Sequence, residues 1–211
     1  MSLDVRAIRE QFPILGESVH GKPLVYLDSG ASSQKPLAVI NAMDYYYRHT
    51  HSNVHRGVHE LSQQATSAYE ATRGKVQRWI NASSEREVVF TRGTTEAINL
   101  VAQTLGQRLG PSDRILVSEL EHHANLVPWQ MLCQRTGAQL VKIPVMPNGE
   151  LNQAVYLEEL ARGASLVAIC SVSNALGTRV PVANMCAHAR DAGALTLVDG
   201  AQAVPHDRVD V

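Results

Sequence analysis

From residue 61 onward the apolar positions alternate between helical spacing and short continuous runs. Leu61, Ala65, Ala68, Thr72, Val76 and Trp79 recur at three- and four-residue intervals and predict one helix with a single apolar stripe. Ile98, Val101, Ala102 and Leu105 predict a second helix after the Gly-Thr-Thr turn at 93–95. Between and beyond them lie five short runs rich in β-branched residues: EVVFT (87–91), RILVSEL (114–120), QLVKIPV (139–145), SLVAICSVS (165–173) and LTLVDG (195–200). Strands alternating with helices predict an α/β fold, a mostly parallel sheet wrapped by helices. Gly137 and Gly193 stand where a helix must stop before QLVKIPV and LTLVDG, the position at which a left-handed residue ends a helix. The first 60 residues are different: Pro13, Pro23 and Pro36 punctuate short pieces, which predicts an amino-terminal arm (1–60) ahead of a domain over 61–211.

Composition narrows the function classes. The chain has 211 residues, 45% of them hydrophobic, which suffices for one sizeable core. Nineteen Lys and Arg against 20 Asp and Glu give a net charge of −1 with no basic block, so neither nucleic acid nor an anionic membrane is an expected partner. No apolar signal core or run of spanning length is present, and a cytoplasmic location is expected. Cys133, Cys170 and Cys186 are widely spaced without a C-x-x-C pair, which argues against a disulfide framework or a zinc ribbon. His49, His51, His55 and His59 lack acidic or thiol companions, and Gly57 weakens the helix that a metal site would need, so no metal is expected.

In open parallel sheets ligands bind beyond the carboxyl ends of the strands. The residues following the runs are therefore informative: Arg92-Gly93-Thr94-Thr95-Glu96, Glu121-His122-His123-Ala124-Asn125, Asn174, and Asp199-Gly200-Ala201-Gln202. Gly93-Thr94-Thr95 opening a helix offers free N–H groups, hydroxyls and the positive end of a helix dipole to a phosphate; an ordinary Thr cap is the alternative. A phosphate seat, a strand-end carboxylate and a strand-end His together suit pyridoxal 5'-phosphate: the carboxylate holds the pyridine nitrogen protonated, and the imidazole stacks on the ring. No strand is followed by G-x-G-x-x-G, which disfavours a nicotinamide-binding Rossmann domain.

YLDSGASSQKP (26–36), VHRGVHELS (54–62), FTRGTTEAINLVA (90–102), EHHANLVPWQMLC (121–133), SNALGT (173–178) and VDGAQAV (198–204) resemble the group II cysteine desulfurases of the SufS type. These are relatives of selenocysteine lyase within the class V aminotransferase family and the aspartate-aminotransferase fold. Gly30, where relatives commonly carry Ala, is a small departure. The resemblance implies the fold type I large domain of pyridoxal-phosphate enzymes and assigns roles. Thr94 and Thr95 would hold the cofactor phosphate, and His123 would stack on the ring and shuttle protons. Asp199 would face the ring nitrogen and Gln202 the ring oxygen, with Asn174 beside ring or substrate. His55 and Arg56 match a segment near the mouth of the substrate site. The implied reaction converts L-cysteine to L-alanine and leaves persulfide sulfur on the enzyme for a sulfur-acceptor protein of iron–sulfur cluster assembly, in a homodimer.

The family's Schiff-base Lys and nucleophilic Cys follow the DGAQ strand, whereas Lys22, Lys35, Lys75 and Lys142 all precede Asp199. The chain therefore reads as an amino-terminal portion, truncated before the last strands and the small domain and inactive alone. In that case the segment EVVFT has no strand beside it and LTLVDG becomes an exposed edge. A non-catalytic interaction or dimerisation fragment, and another enzyme of the same fold such as selenocysteine lyase or kynureninase, are the alternatives.

Overall fold

The computed structural model describes residues 3–211, and its contacts separate two compact units that meet at residues 88 and 89. The first unit opens with helix α1 (Val5–Glu10), capped by Asp4, whose Oδ1 accepts from Ala7 N at 3.1 Å. A two-residue turn at His20-Gly21, both left-handed, joins β1 (Ser18–Val19) to antiparallel β2 (Lys22–Pro23). Helix α2 (Leu37–Tyr45) runs into a π turn over Tyr46–Thr50, and α3 (Glu60–Trp79) is the long helix of this unit.

The helix α3 forms where the spacing predicts it, but of the predicted stripe it buries only Ala65 among the described residues. Leu61 and Trp79 stay 42% and 46% exposed, and the buried positions are the small Ser62, Ala65 and Gly74. Close approach of the preceding loop explains the choice. Ser62 Oγ donates to Asn53 O at 2.6 Å and accepts from Gly57 N at 3.0 Å, and a Cβ on Gly57 would sit 2.6 Å from Ser62 Cβ. Small size, rather than hydrophobicity, selects the packed face.

The second unit is a three-layer α/β/α domain. Its parallel sheet has the order β4-β3-β5-β6, with β3 Arg114–Ser118, β4 Gln139–Ile143, β5 Leu166–Cys170 and β6 Leu195–Asp199. Alternation along the central strands sorts side chains between two cores. Ile115, Val117, Leu166 and Ala168 pack with Ile98 and Ala102 of α4 (Thr94–Leu105) and with Trp129 and Leu132 of α5 (Val127–Thr136). Leu116, Val167 and Ile169 face the other way, toward Tyr156 and Leu160 of α6 (Gln153–Ala161) and Met185 and Ala189 of α7 (Val182–Asp191). Tyr156 Oη donates to Met185 O at 2.7 Å, so the buried phenol stitches α6 to α7. Gly137 takes the left-handed cap position after α5, with φ 80°, and Gly193 does the same after α7, with φ 77°.

EVVFT departs from its expected state. Residues 88–91 form no strand, and Val89 and Phe90 remain 67% and 37% exposed. A β-run becomes a strand only when a neighbouring strand supplies ladder partners, and among the described residues no strand pairs with this one.

Where the sheet begins, Asp113 joins two of its strands. Its carboxylate accepts from Gly110 N at 2.7 Å and from Ser165 Oγ, just before β5. The Ser165 hydroxyl, then the Gly110 N–H, holds the carboxyl below its ordinary range. A depressed folded-state pKa gives stability that is present above the unfolded value of about 3.9 and lost as pH falls through the folded value. Asp113→Asn is therefore expected to lower the neutral-pH Tm while flattening its fall below about pH 4. Circular-dichroism melts between pH 3 and 7 check this, and parallel curves for parent and variant would contradict it.

Candidate functional site

The carboxyl ends of the strands carry the candidate residues of the second unit. At the end of β6, Asp199 is 7% exposed, and its Oδ1 accepts from Ala201 N at 2.9 Å, an Asx turn that swings the chain away from the sheet. Its Oδ2 has no donor among the described residues, so a nearly buried carboxylate keeps one oxygen available to a cationic N–H. Gly200 allows the turn, since a Cβ there would lie 2.7 Å from Val204 Cγ2. Gln202 occupies the same turn.

Thr94 and Thr95 are the first residues of α4. Gly93, at φ 152°, precedes them with nothing within 4 Å of where a Cβ would stand, and the first-turn N–H groups of a helix have no partner within it. Glu96 closes the turn from the side: its carboxylate accepts from Arg92 N at 2.6 Å and pairs with Arg92 Nη2 at 2.8 Å. The Arg92 side chain, then its backbone N–H, lowers the Glu96 pKa.

The loop after β3 holds the imidazoles. Its 3-10 turn spans His123–Asn125, with His122 Nδ1 accepting from Ala124 N at 3.1 Å. His122 and His123 line a cavity of about 670 Å³ together with Glu119, Glu121, Lys142, Asn174 and Leu176, among others. His123 and Asn174 thus share one cavity wall. Thr94, Thr95, Asp199 and Gln202 are not part of that lining. Asp199 is tied instead to the strand leading to Asn174: it is the register partner of Cys170, and its carbonyl accepts from Ser171 N at 2.9 Å and Ser171 Oγ at 3.1 Å.

Strand-end logic passed over the support for these residues. Glu121 accepts from Asn125 Nδ2 at 2.7 Å, from Cys170 N at 2.8 Å and from Ser118 Oγ. Asn125 Oδ1 in turn accepts from the indole of Trp129 at 3.0 Å, and Asn125 and Trp129 are fully buried. Burial pushes the Glu121 carboxyl up while its three donors pull it down. The readable signal was Glu121, Asn125 and Trp129 at four-residue steps.

His55 and Arg56 belong to the first unit. His55 is left-handed at φ 64°, its N–H donates to Thr66 Oγ1 at 2.9 Å, and its Nε2 lies 2.8 Å from Glu70 Oε1. Arg73 holds the other Glu70 oxygen at 2.9 Å, and this guanidinium is the main cause of the lowered Glu70 pKa. His49 and His51 lie against Tyr45, Tyr46 and Tyr47, with ring centroids 4.8–5.4 Å apart. Burial and the neighbouring Glu121 and Asp199 push Cys170 up to about 12, and burial raises Cys133 and Cys186 as well, which disfavours the reactive thiolate. Among the described residues no helix is long and apolar enough to cross a membrane.

Comparison with known proteins places this architecture. The family model described as aminotransferase class-V matches residues 25–211. A cysteine desulfurase of Klebsiella pneumoniae subsp. pneumoniae is 52% identical over 212 aligned positions, which cover 100% of this chain and 52% of the relative. Among solved structures, the apo cysteine desulfurase of Thermococcus onnurineus NA1 superposes with a TM-score of 0.92 at 38% identity, covering 100% of this chain and 51% of that one. The cysteine desulfurase CsdA of Escherichia coli gives 0.85 at 40% identity, covering 100% and 52%. The chain spans about half the length of the curated relatives it matches.

Proposed function

The chain belongs to the class-V aminotransferase family, whose cofactor is pyridoxal 5'-phosphate, and we propose that it is the cofactor-seating portion of a cysteine desulfurase. The observation that carries this reading is Asp199: a nearly buried carboxylate at a strand end, with one oxygen fixed by Ala201 N–H and the other open. When bound, pyridoxal 5'-phosphate supplies an electron sink for the α-carbon of an amino acid. The residues of this chain do the rest of the seating. Asp199 would keep a proton on the ring nitrogen, and Gln202 would orient the ring oxygen. The first-turn N–H groups and hydroxyls of Thr94 and Thr95 hold the phosphate at the positive end of α4. His123 would stack on the ring and hold or move a proton there, and Asn174, in the lining of the same cavity, would orient the substrate. In this reading residues 61–211 form the cofactor-binding portion and 1–60 its arm.

L-Cysteine is the proposed substrate, with sulfur passed on to an acceptor protein of iron–sulfur assembly in the cytoplasm. Neither the lysines nor the thiols of this chain fit the covalent steps. The resemblance places the Schiff-base Lys beyond the DGAQ strand, whereas Lys22, Lys35, Lys75 and Lys142, the last in the lining of the cavity that holds His123, all precede it, and burial raises the pKa of all three thiols. These 211 residues alone are therefore proposed to bind the cofactor reversibly and to release no sulfur. The proposed homodimer is supported by apolar side chains left open on the first unit, above all Val25, Leu27 and Val58, at 76–95% exposure.

The test is to titrate the chain with pyridoxal 5'-phosphate, treat the mixture with borohydride and map adducts by mass spectrometry. The expected outcome is saturable absorbance change, no stoichiometric Lys adduct and no alanine from L-cysteine. A single stoichiometric adduct accompanied by sulfide release would overturn the inactive reading, and no saturable binding would overturn the cofactor reading.

A further inference from the structure

We infer that Glu121 is a positioning residue: its carboxylate replaces a missing rung of the β3–β5 ladder and thereby fixes the loop that carries His123. The catalytic meaning of this inference rests on the role proposed above for His123.

The backbone creates the need. Strands β3 and β5 pair through Val117↔Ala168, and there the ladder stops, because β3 turns toward β4 and Glu119 N donates to Ile143 O at 3.0 Å. Ser171 N donates toward β6, so by strand alternation Cys170 N points to the β3 side, where no carbonyl remains. Cys170 is 4% exposed, and an unpaired N–H at such a site is costly. Glu121 Oε1 fills the gap at 2.8 Å.

The same carboxylate fixes its own loop. Oε1 also accepts from Ser118 Oγ, which in turn accepts from Leu120 N at 3.1 Å, and Oε2 accepts from Asn125 Nδ2 at 2.7 Å. Asn125 cannot turn its amide over, because its Oδ1 is held by the Trp129 indole N–H at 3.0 Å. The turn bearing His122 and His123 is thus clamped at both ends, to β3 through Ser118 and to α5 through Trp129. It is clamped at its base to the strand whose end pairs with Asp199. One side chain sets His123 relative to Asp199.

The donor pattern makes the clamp a carboxylate by necessity, since all three partners donate. In Glu121→Gln either orientation of the amide sets N–H against N–H, at Asn125 or at Cys170. Glu121→Gln with Asn125→Asp restores complementarity: the new amide donates to the new carboxylate, whose other oxygen accepts from Trp129. A residue needed only for bulk or charge would not show this rescue.

The experiment uses the full 211-residue chain without cofactor. Amide hydrogen exchange by mass spectrometry follows residues 119–129 and 166–171, and deuteration of the imidazole C2–H follows His123. Glu121→Gln is expected to accelerate exchange across 119–129 by about tenfold and to change the His123 half-life by about threefold or more, with the double variant returning both to within about twofold of the parent. Ser118→Ala, which removes one donor to Glu121 together with the acceptor of Leu120 N, is expected to accelerate exchange at residues 121–129, read apart from Leu120, by about threefold, and it carries the test if the Gln variant fails to fold. Parental exchange in Glu121→Gln, no rescue by the double variant, or, should the Gln variant fail to fold, parental exchange in Ser118→Ala would each overturn the inference. Pyridoxal 5'-phosphate titration of the parent is read separately, so failure of the cofactor reading is distinguishable from failure of the clamp.

Discussion

Asp199→Ala is expected to weaken pyridoxal 5'-phosphate binding by two to three orders of magnitude, the largest single effect at the proposed site. Removing one member of a nearly buried ion pair leaves the other charge without compensation and costs about 3–5 kcal/mol, where every ~1.4 kcal/mol is tenfold in affinity. Asp199 is 7% exposed, so solvent screens little of this interaction. The substitution also frees Ala201 N–H, which Oδ1 now holds at 2.9 Å. Asp199→Asn separates the two contributions: it preserves that acceptor and removes the charge. Absorbance titration of parent, Asn and Ala variants should therefore show most of the loss already in Asn. Inorganic phosphate, which needs only the start of α4, should compete with cofactor equally in all three. Parental affinity in Asp199→Ala would remove Asp199 from the ring nitrogen and with it the central support of the functional reading.

The parts of this protein that the sequence revealed are those set by local periodicity. Four β-branched runs followed or preceded by helices terminated at Gly137 and Gly193 became the four parallel strands, trimmed at their carboxyl ends where the chain turns to make loops. EVVFT had the same composition and formed no strand, because β propensity describes fit to a neighbour and not an intrinsic state. On α3 the helix was legible and its buried face was not. Ser62 is inside because a loop lies against it and Gly74 because the Glu85 side chain does, and hydrophobicity gives no sign of either. Strand-end reasoning brought His123 and Asn174 to one cavity and Asp199 to the neighbouring strand row, while the position of the cofactor itself rests on the family. The Glu121 clamp was hidden for a different reason. The four-residue steps of Glu121, Asn125 and Trp129 are legible, but the clamp's purpose appears only at the row where β3 leaves β5, which the sequence does not mark.

Self-association through β6 is the second large effect expected, and the two sheet edges predict its direction. The β4 edge carries a charge against strand addition, since Lys142 sits exposed in the middle of the strand. Strand β6 has no such protection: among the described residues it pairs only with β5, its run Leu195-Thr196-Leu197-Val198 contains no charge, and Leu195 and Val198 are 55% and 40% exposed. Val89 and Phe90 add exposed apolar β-forming residues in the same unit. An open edge of this kind adds strands without limit, whereas the proposed homodimer is a closed assembly, so light scattering separates the two. The parent chain should show growing, concentration-dependent particles at micromolar concentration and a broad melt. Leu195→Lys with Val198→Lys places charges along the edge and touches neither Asp199 nor the central strands. It is expected to slow particle growth by about tenfold or more while leaving any discrete dimer in place. A parent sample that stays monodisperse and melts sharply would show that β6 is not an adhesive edge. Equal growth in the Lys variant would place the adhesive surface elsewhere, with Val25, Leu27 and Val58 of the first unit the next to be substituted.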